Sequence, residues 1–124
     1  MATVTLTLRA EGEQVVKPFI LFRGQGQLPA ELHAELKAQG IPYAFNTKAW
    51  ANAEACVEHL RYFHKTVQEH CPEFQEHMLL LDGLSSQSTN RFIELALDLN
   101  SACVFSSKLH ASCATCGPSS CCVA

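Results

Sequence analysis

An α/β domain, a mixed sheet with flanking helices, is predicted by three features of the sequence. Residues 3–8 read Thr-Val-Thr-Leu-Thr-Leu, the period of two that marks a strand with one polar face. A second apolar run, residues 15–22, comes after the Glu11-Gly12-Glu13-Gln14 segment and reads with the first as a hairpin. Beyond it, stretches with helical spacing alternate with short apolar runs, the order produced when helical crossovers join parallel strands.

Taken in order, the strand at residues 3–8 is the clearest in the chain, and Pro18 in its partner removes a ladder donor and favours an edge or bulge. Arg23-Gly24-Gln25-Gly26-Gln27 then stands between a strand and a helix, where a phosphate-cradling loop would lie. It has neither the third glycine nor the Lys-Ser/Thr of such loops and reads as a plain turn. Pro29 opens a short helix over residues 30–39, with Leu32 and Leu36 on one face and Gly40 as its stop. Residues 41–45 form a brief strand, and Asn46 or Thr47 is placed to cap the next helix. From Trp50 to His70, Ala53, Cys56, Val57, Leu60, Phe63 and Val67 recur at steps of three and four, opposite Glu58, Arg61, Lys65 and Gln68. This is a long amphipathic helix, stopped by Pro72. His77-Met78-Leu79-Leu80-Leu81-Asp82 reads as a strand buried on both faces, with an acid at its carboxyl end. Residues 83–88 form a loop, Thr89 or Asn90 caps a helix to about Leu99, and residues 102–105 supply the last strand.

The 124 residues fit one domain, at residues 3–105, followed by a Cys/Ser-rich tail at 106–124 that reads as unstructured. Hydrophobic residues make up 48% and charged residues 17%, a globular composition. Nine Lys and Arg against twelve Asp and Glu leave a net charge of −3, which excludes the broadly basic footprint of many nucleic-acid binders. Any such contact must be local or supplied by another segment. No apolar stretch is long enough to span a bilayer and no export signal opens the chain, so seven cysteines, an odd number, read as reduced thiols in a soluble intracellular protein.

Asp82 is the leading candidate for chemistry, because ligands of such sheets gather beyond the carboxyl ends of the parallel strands. The competing role for a strand-end Asp is to cap the next turn. Two-metal phosphoryl chemistry needs several converging acids, and Asp98, the other aspartate, has no evident reason to face Asp82. The histidines are scattered without ligand spacing, and Cys56, Cys71 and Cys103 read as small hydrophobes. Cys113, Cys116, Cys121 and Cys122 place four thiols within ten residues, a count that one tetrahedral zinc requires. Adjacent Cys121 and Cys122 fit one tetrahedron poorly, and the same residues loosely match a C-terminal prenylation box. A small α/β interaction module with a zinc- or thiol-binding tail is the reading these cysteines support.

Several of these segments together resemble the DDE superfamily endonuclease domain of pogo-like and mariner-type transposases and proteins derived from them. The residues that carry the resemblance are the alternating strand running into Ala10-Glu11-Gly12-Glu13, then Lys17-Pro18-Phe19-Ile20-Leu21-Phe22-Arg23-Gly24, Lys48-Ala49-Trp50, and Leu79-Leu80-Leu81-Asp82-Gly83-Leu84-Ser85-Ser86-Gln87. The family usually has Asn where Gly83 stands. The resemblance implies a ribonuclease H-like fold in which three carboxylates hold two Mg²⁺ or Mn²⁺ ions for DNA strand cleavage, and a nuclear location. Asp82 matches the second carboxylate. The first belongs on a strand before residue 3, and the third comes after the last strand, where residues 106–124 hold no acid. The expectation is therefore a partial fold with its first strand missing, one acid of three retained and no cleavage from this chain alone. Because the missing strand is central, the sheet should be split and its open edges prone to self-association.

Overall fold

The computed structural model describes residues 1–105, so Cys113, Cys116, Cys121 and Cys122 and the zinc and lipidation readings lie outside the described residues. In chain order the elements are β1 (Ala2–Thr5), β2 (Phe19–Arg23), α1 (Ala30–Ala38), β3 (Tyr43–Asn46), α2 (Ala53–His70), β4 (His77–Leu81), α3 (Asn90–Asp98) and β5 (Ser101–Phe105). The predicted order of elements is the observed one.

The strands form two sheets. β2 is the middle of the first, antiparallel to β1 and parallel to β3, while β4 and β5 pair in parallel as the second. Each parallel pair is joined by a helix, α1 between β2 and β3 and α3 between β4 and β5, as parallel pairing requires. α1 closes with Gly40 in the left-handed region at φ 66°, where its N–H and that of Ile41 take up the free carbonyls of Lys37 and Leu36.

The core is built on α2. Cys56, Val57, Leu60, Phe63 and Val67 form its buried stripe, joined by Cys71 and by Phe92 and Ala96 of α3, with Leu79, Leu81, Cys103, Val15 and Val16 packed around them. Leu60, 1% exposed, sits at the centre.

Contacts along α2 fix the direction of each sheet. The Thr3 hydroxyl bonds the Ala49 carbonyl just before α2, Thr7 Oγ1 lies 3.1 Å from His59 Nε2, and the Arg9 guanidinium lies 6.0 Å from the Phe74 ring centroid beyond the helix. The β1 segment thus runs with α2. β4 runs against it, since the His77 ring meets Phe63 at 6.0 Å between centroids and Asp82 acts electrostatically on Cys56 one end further on. β1 and β4 are therefore antiparallel, and β2, β3, β4 and β5 all deliver their carboxyl ends where α2 begins. Two sheets over one helix, with no strand pairing between them among the described residues, are compatible with a partial ribonuclease H-like fold whose sheet is split.

Three local expectations are corrected. The first strand stops at Thr5 rather than running to residue 8: the register that sets Thr5 opposite Phe19 would set Leu6 opposite Pro18, which has no N–H to give. Val15 and Val16 turn to the core instead. α2 begins at Ala53, where the Asn52 side chain accepts from Ala55 N–H at 2.9 Å, and neither Asn46 nor Thr47 caps it. β4 is covered on one face only, since Leu79 and Leu81 meet the core while Met78 and Leu80 are 55% and 57% exposed. Both contacting helices lie on the same side of that strand.

Candidate functional site at the carboxyl ends of the strands

Asp82 comes directly after β4, and its side chain is exposed at the end of the molecule where four strands terminate. The backbone turns there through Gly83 at φ 82°, a conformation that glycine adopts freely and Asn tolerates better than other residues, which gives the departure from Asn a physical basis. The next turn is closed without Asp82: Gln87 N–H donates to Leu84 O, Ser88 N–H to Ser85 O, and the Ser88 hydroxyl to the same Ser85 carbonyl. The turn-capping reading of Asp82 is thereby set aside.

Across from Asp82, at the start of α2, the Cys56 thiol donates to Ser86 Oγ at 3.5 Å. Burial pushes this thiol up, the Ser86 contact lowers it in part, and the Asp82 carboxylate pushes it up again. Cys56 thus stays protonated near neutral pH, as a packing group beside the acid. Asp98 lies in the last turn of α3, just before Ser101, which is in register with His77 at the far end of β4. Among the described residues no three His, Cys, Asp or Glu side chains gather as a metal-holding group. An isolated carboxylate beside a neutral thiol does not fit a two-ion site, which needs several oxygen ligands.

The described histidines take structural positions. His33 bonds the Tyr43 hydroxyl at 2.6 Å and His70 the Thr66 carbonyl at 2.9 Å. Burial lowers His59, which is wedged between Thr7 and Phe19, and burial followed by the neighbouring His64 lowers His77.

On the other sheet, the same end of the molecule carries a loop cross-tied by hydrogen bonds that periodicity alone could not reveal. Gly24, at φ 112°, donates its N–H to the Asn46 carbonyl at 2.7 Å, tying the end of β2 to the end of β3. The Asn46 side chain spans the next loop, donating from Nδ2 to Trp50 O at 2.6 Å and accepting from Lys48 N–H at 3.2 Å. Between them Ala49 is fully buried in the left-handed region at φ 55°, its carbonyl held by Thr3. These bonds turn Trp50 outward, 66% exposed, with Lys48 Nζ 5.6 Å from its ring centroid. Arg23 and Lys48 join Trp50 in lining an open recess of about 190 Å³. Its sequence signal was the Lys48-Ala49-Trp50 tripeptide, which reads as a helix start, whereas Ala49 is left-handed and the helix begins only at Ala53. A second open recess, about 460 Å³, lies between Glu76 and Ala102 at the far end of β4 and β5, away from Asp82.

No helix among the described residues is long and apolar enough to cross a membrane. No curated protein matches the chain, and no solved structure does. The family described as DDE superfamily endonuclease matches residues 1–108, a span that contains every element of the fold, Asp82 and the Trp50 loop. With that span and that architecture, the chain belongs to the DDE superfamily endonuclease family.

Proposed function

We propose that this chain is the nucleic-acid-binding part of a transposase-derived DDE endonuclease core of the pogo-like and mariner-type group, working in the nucleus. The observation that carries the reading is the placement of Asp82, exposed beyond the carboxyl end of β4 and on the same end of the molecule as Arg23 and Lys48. A carboxylate able to face a metal ion and cations able to face phosphate then share one end of the molecule, as the two requirements of a strand-cleaving centre. With a single such acid, residues 1–105 bind DNA without cutting it. Mg²⁺ or Mn²⁺ engages Asp82 only when carboxylates from another segment join it. The edges of β1 and β4, unpaired among the described residues, are where that segment, or a second copy, adds.

The test is a pair of assays on the full chain. Retention of DNA that weakens with added salt, with no nicking of supercoiled plasmid in Mg²⁺ or Mn²⁺, is the expected result. Metal-dependent nicking that disappears in Asp82→Ala would overturn the inactive reading, and absence of DNA retention at low salt would overturn the binding one.

A further inference from the structure

The Trp50 loop has the construction of a ligand platform. An exposed indole is costly to leave in water, and here the backbone is fixed to keep it there: Asn46 ties both sides of the loop, and Ala49 accepts a left-handed conformation that disfavours any residue with a Cβ. If packing alone governed this loop, turning Trp50 inward would bury a large apolar surface. Two cations line the recess with the ring, Lys48 over its face. Among the described residues the single ion pair is Lys65–Glu69, so neither Arg23 nor Lys48 is paired with a described carboxylate. Their charge is available in a chain whose net charge of −3 demands that any anion be bound locally.

We propose that Trp50, Lys48 and Arg23 form a binding site for one nucleotide unit of a single-stranded nucleic acid, the base stacking on the Trp50 indole and the phosphate held by Lys48 and Arg23. The proposal rests on the nucleic-acid reading above and deepens it. A free aromatic face selects an unstacked base, because a base inside a duplex already has both faces covered. Lys48 over the ring does not fill the site: with Lys48 in place Trp50 as a residue is still 66% exposed. A base stacking on the indole would displace the ammonium from the ring toward the phosphate attached to that base. Asn46 and Ala49 act as positioning residues.

Trp50 is the chain's single tryptophan, so its emission reports this site alone. The full chain is titrated with a short oligodeoxythymidylate and, separately, with a short duplex. Saturable quenching of Trp50 emission by the single strand, at lower concentration than by the duplex, is expected. Followed by anisotropy of a labelled strand, Trp50→Ala should weaken binding about 5- to 150-fold and Trp50→Phe much less. The double variant Arg23→Gln/Lys48→Gln should lower the salt dependence of log K by roughly 0.7 per lost phosphate contact, and Lys65→Gln, on the exposed face of α2, should leave it unchanged. Far-UV circular dichroism checks that each variant keeps the native fold. Binding of the strand with unchanged Trp50 emission and with Trp50→Ala within about twofold of the native chain overturns this site while leaving the nucleic-acid reading intact. Binding of neither single strand nor duplex overturns both.

Discussion

Truncating Leu60 to alanine tests whether α2 is the shared floor of both sheets. Leu60 is 1% exposed and packs among Cys56, Val57, Phe63, Phe92 and Ala96. The substitution removes three carbons, a transfer loss of about 2.4 kcal/mol at ~0.8 kcal/mol each. The surrounding helices are held by their own contacts and collapse only in part, so a residual cavity adds about 1–2 kcal/mol. The expected loss is then roughly 3–4 kcal/mol, against a total near 5–15 kcal/mol for a domain of this size. Urea unfolding is followed by two probes, Trp50 emission beside the first sheet and far-UV circular dichroism for the helices. A shared core requires both transitions to move to lower urea by the same amount and to stay coincident. A loss below about 1 kcal/mol, or a shift confined to one probe, would refute the reasoning, because the sheets would then not depend on the same packing.

Replacing Ala49 by Gly relieves a left-handed conformation costing about 1 kcal/mol and removes a buried methyl worth ~0.8 kcal/mol, so the variant should unfold within about 0.5 kcal/mol of the native chain. Ala49→Val, which adds bulk to the same strained and fully buried position, should lose more than about 2 kcal/mol in the same titration. His59 is lowered by burial from its ordinary value of 6.5, so the unfolded chain binds its proton first. Stability should be fully present above about pH 6.5 and fall as the pH drops toward the lowered folded value, and His59→Gln should flatten that slope in denaturation at several pH values. Alkylation mapped by mass spectrometry should find Cys56 and Cys103 slow in the native state at neutral pH, since burial raises both thiols. Asp82→Asn should speed the reaction of Cys56 and leave Cys103 unchanged, because the acid acts on the first thiol alone.

The element order was legible because each element carries its own periodic or capping signal: Thr89 caps α3 and Gly40 ends α1 where the chemistry of those residues requires it. Pro18 announced the weak end of the hairpin, although its effect, halting β1 at Thr5, depended on a register that only pairing defines. The continuous run at Met78-Leu79-Leu80-Leu81 carries no information on which face is covered, so the exposure of Met78 and Leu80 was hidden. Asp82 could be placed from its position after an apolar strand. The Trp50 platform could not, since it depends on Ala49 adopting a conformation rare for alanine and on Thr3 reaching it from 46 positions away.

The seam between the two sheets has a mechanical meaning. Within each sheet the ladder fixes neighbouring strands to one register, since a slip would break every backbone bond at once. Across the seam no described strand pairing exists, and both sheets pack side chains against α2, Phe19 against His59 from one and His77 against Phe63 from the other. Packed side chains permit small sliding of one layer against another without loss of backbone bonding. The spacing between Asp82 on one sheet and the Arg23–Lys48 pair on the other is therefore the adjustable dimension of this molecule.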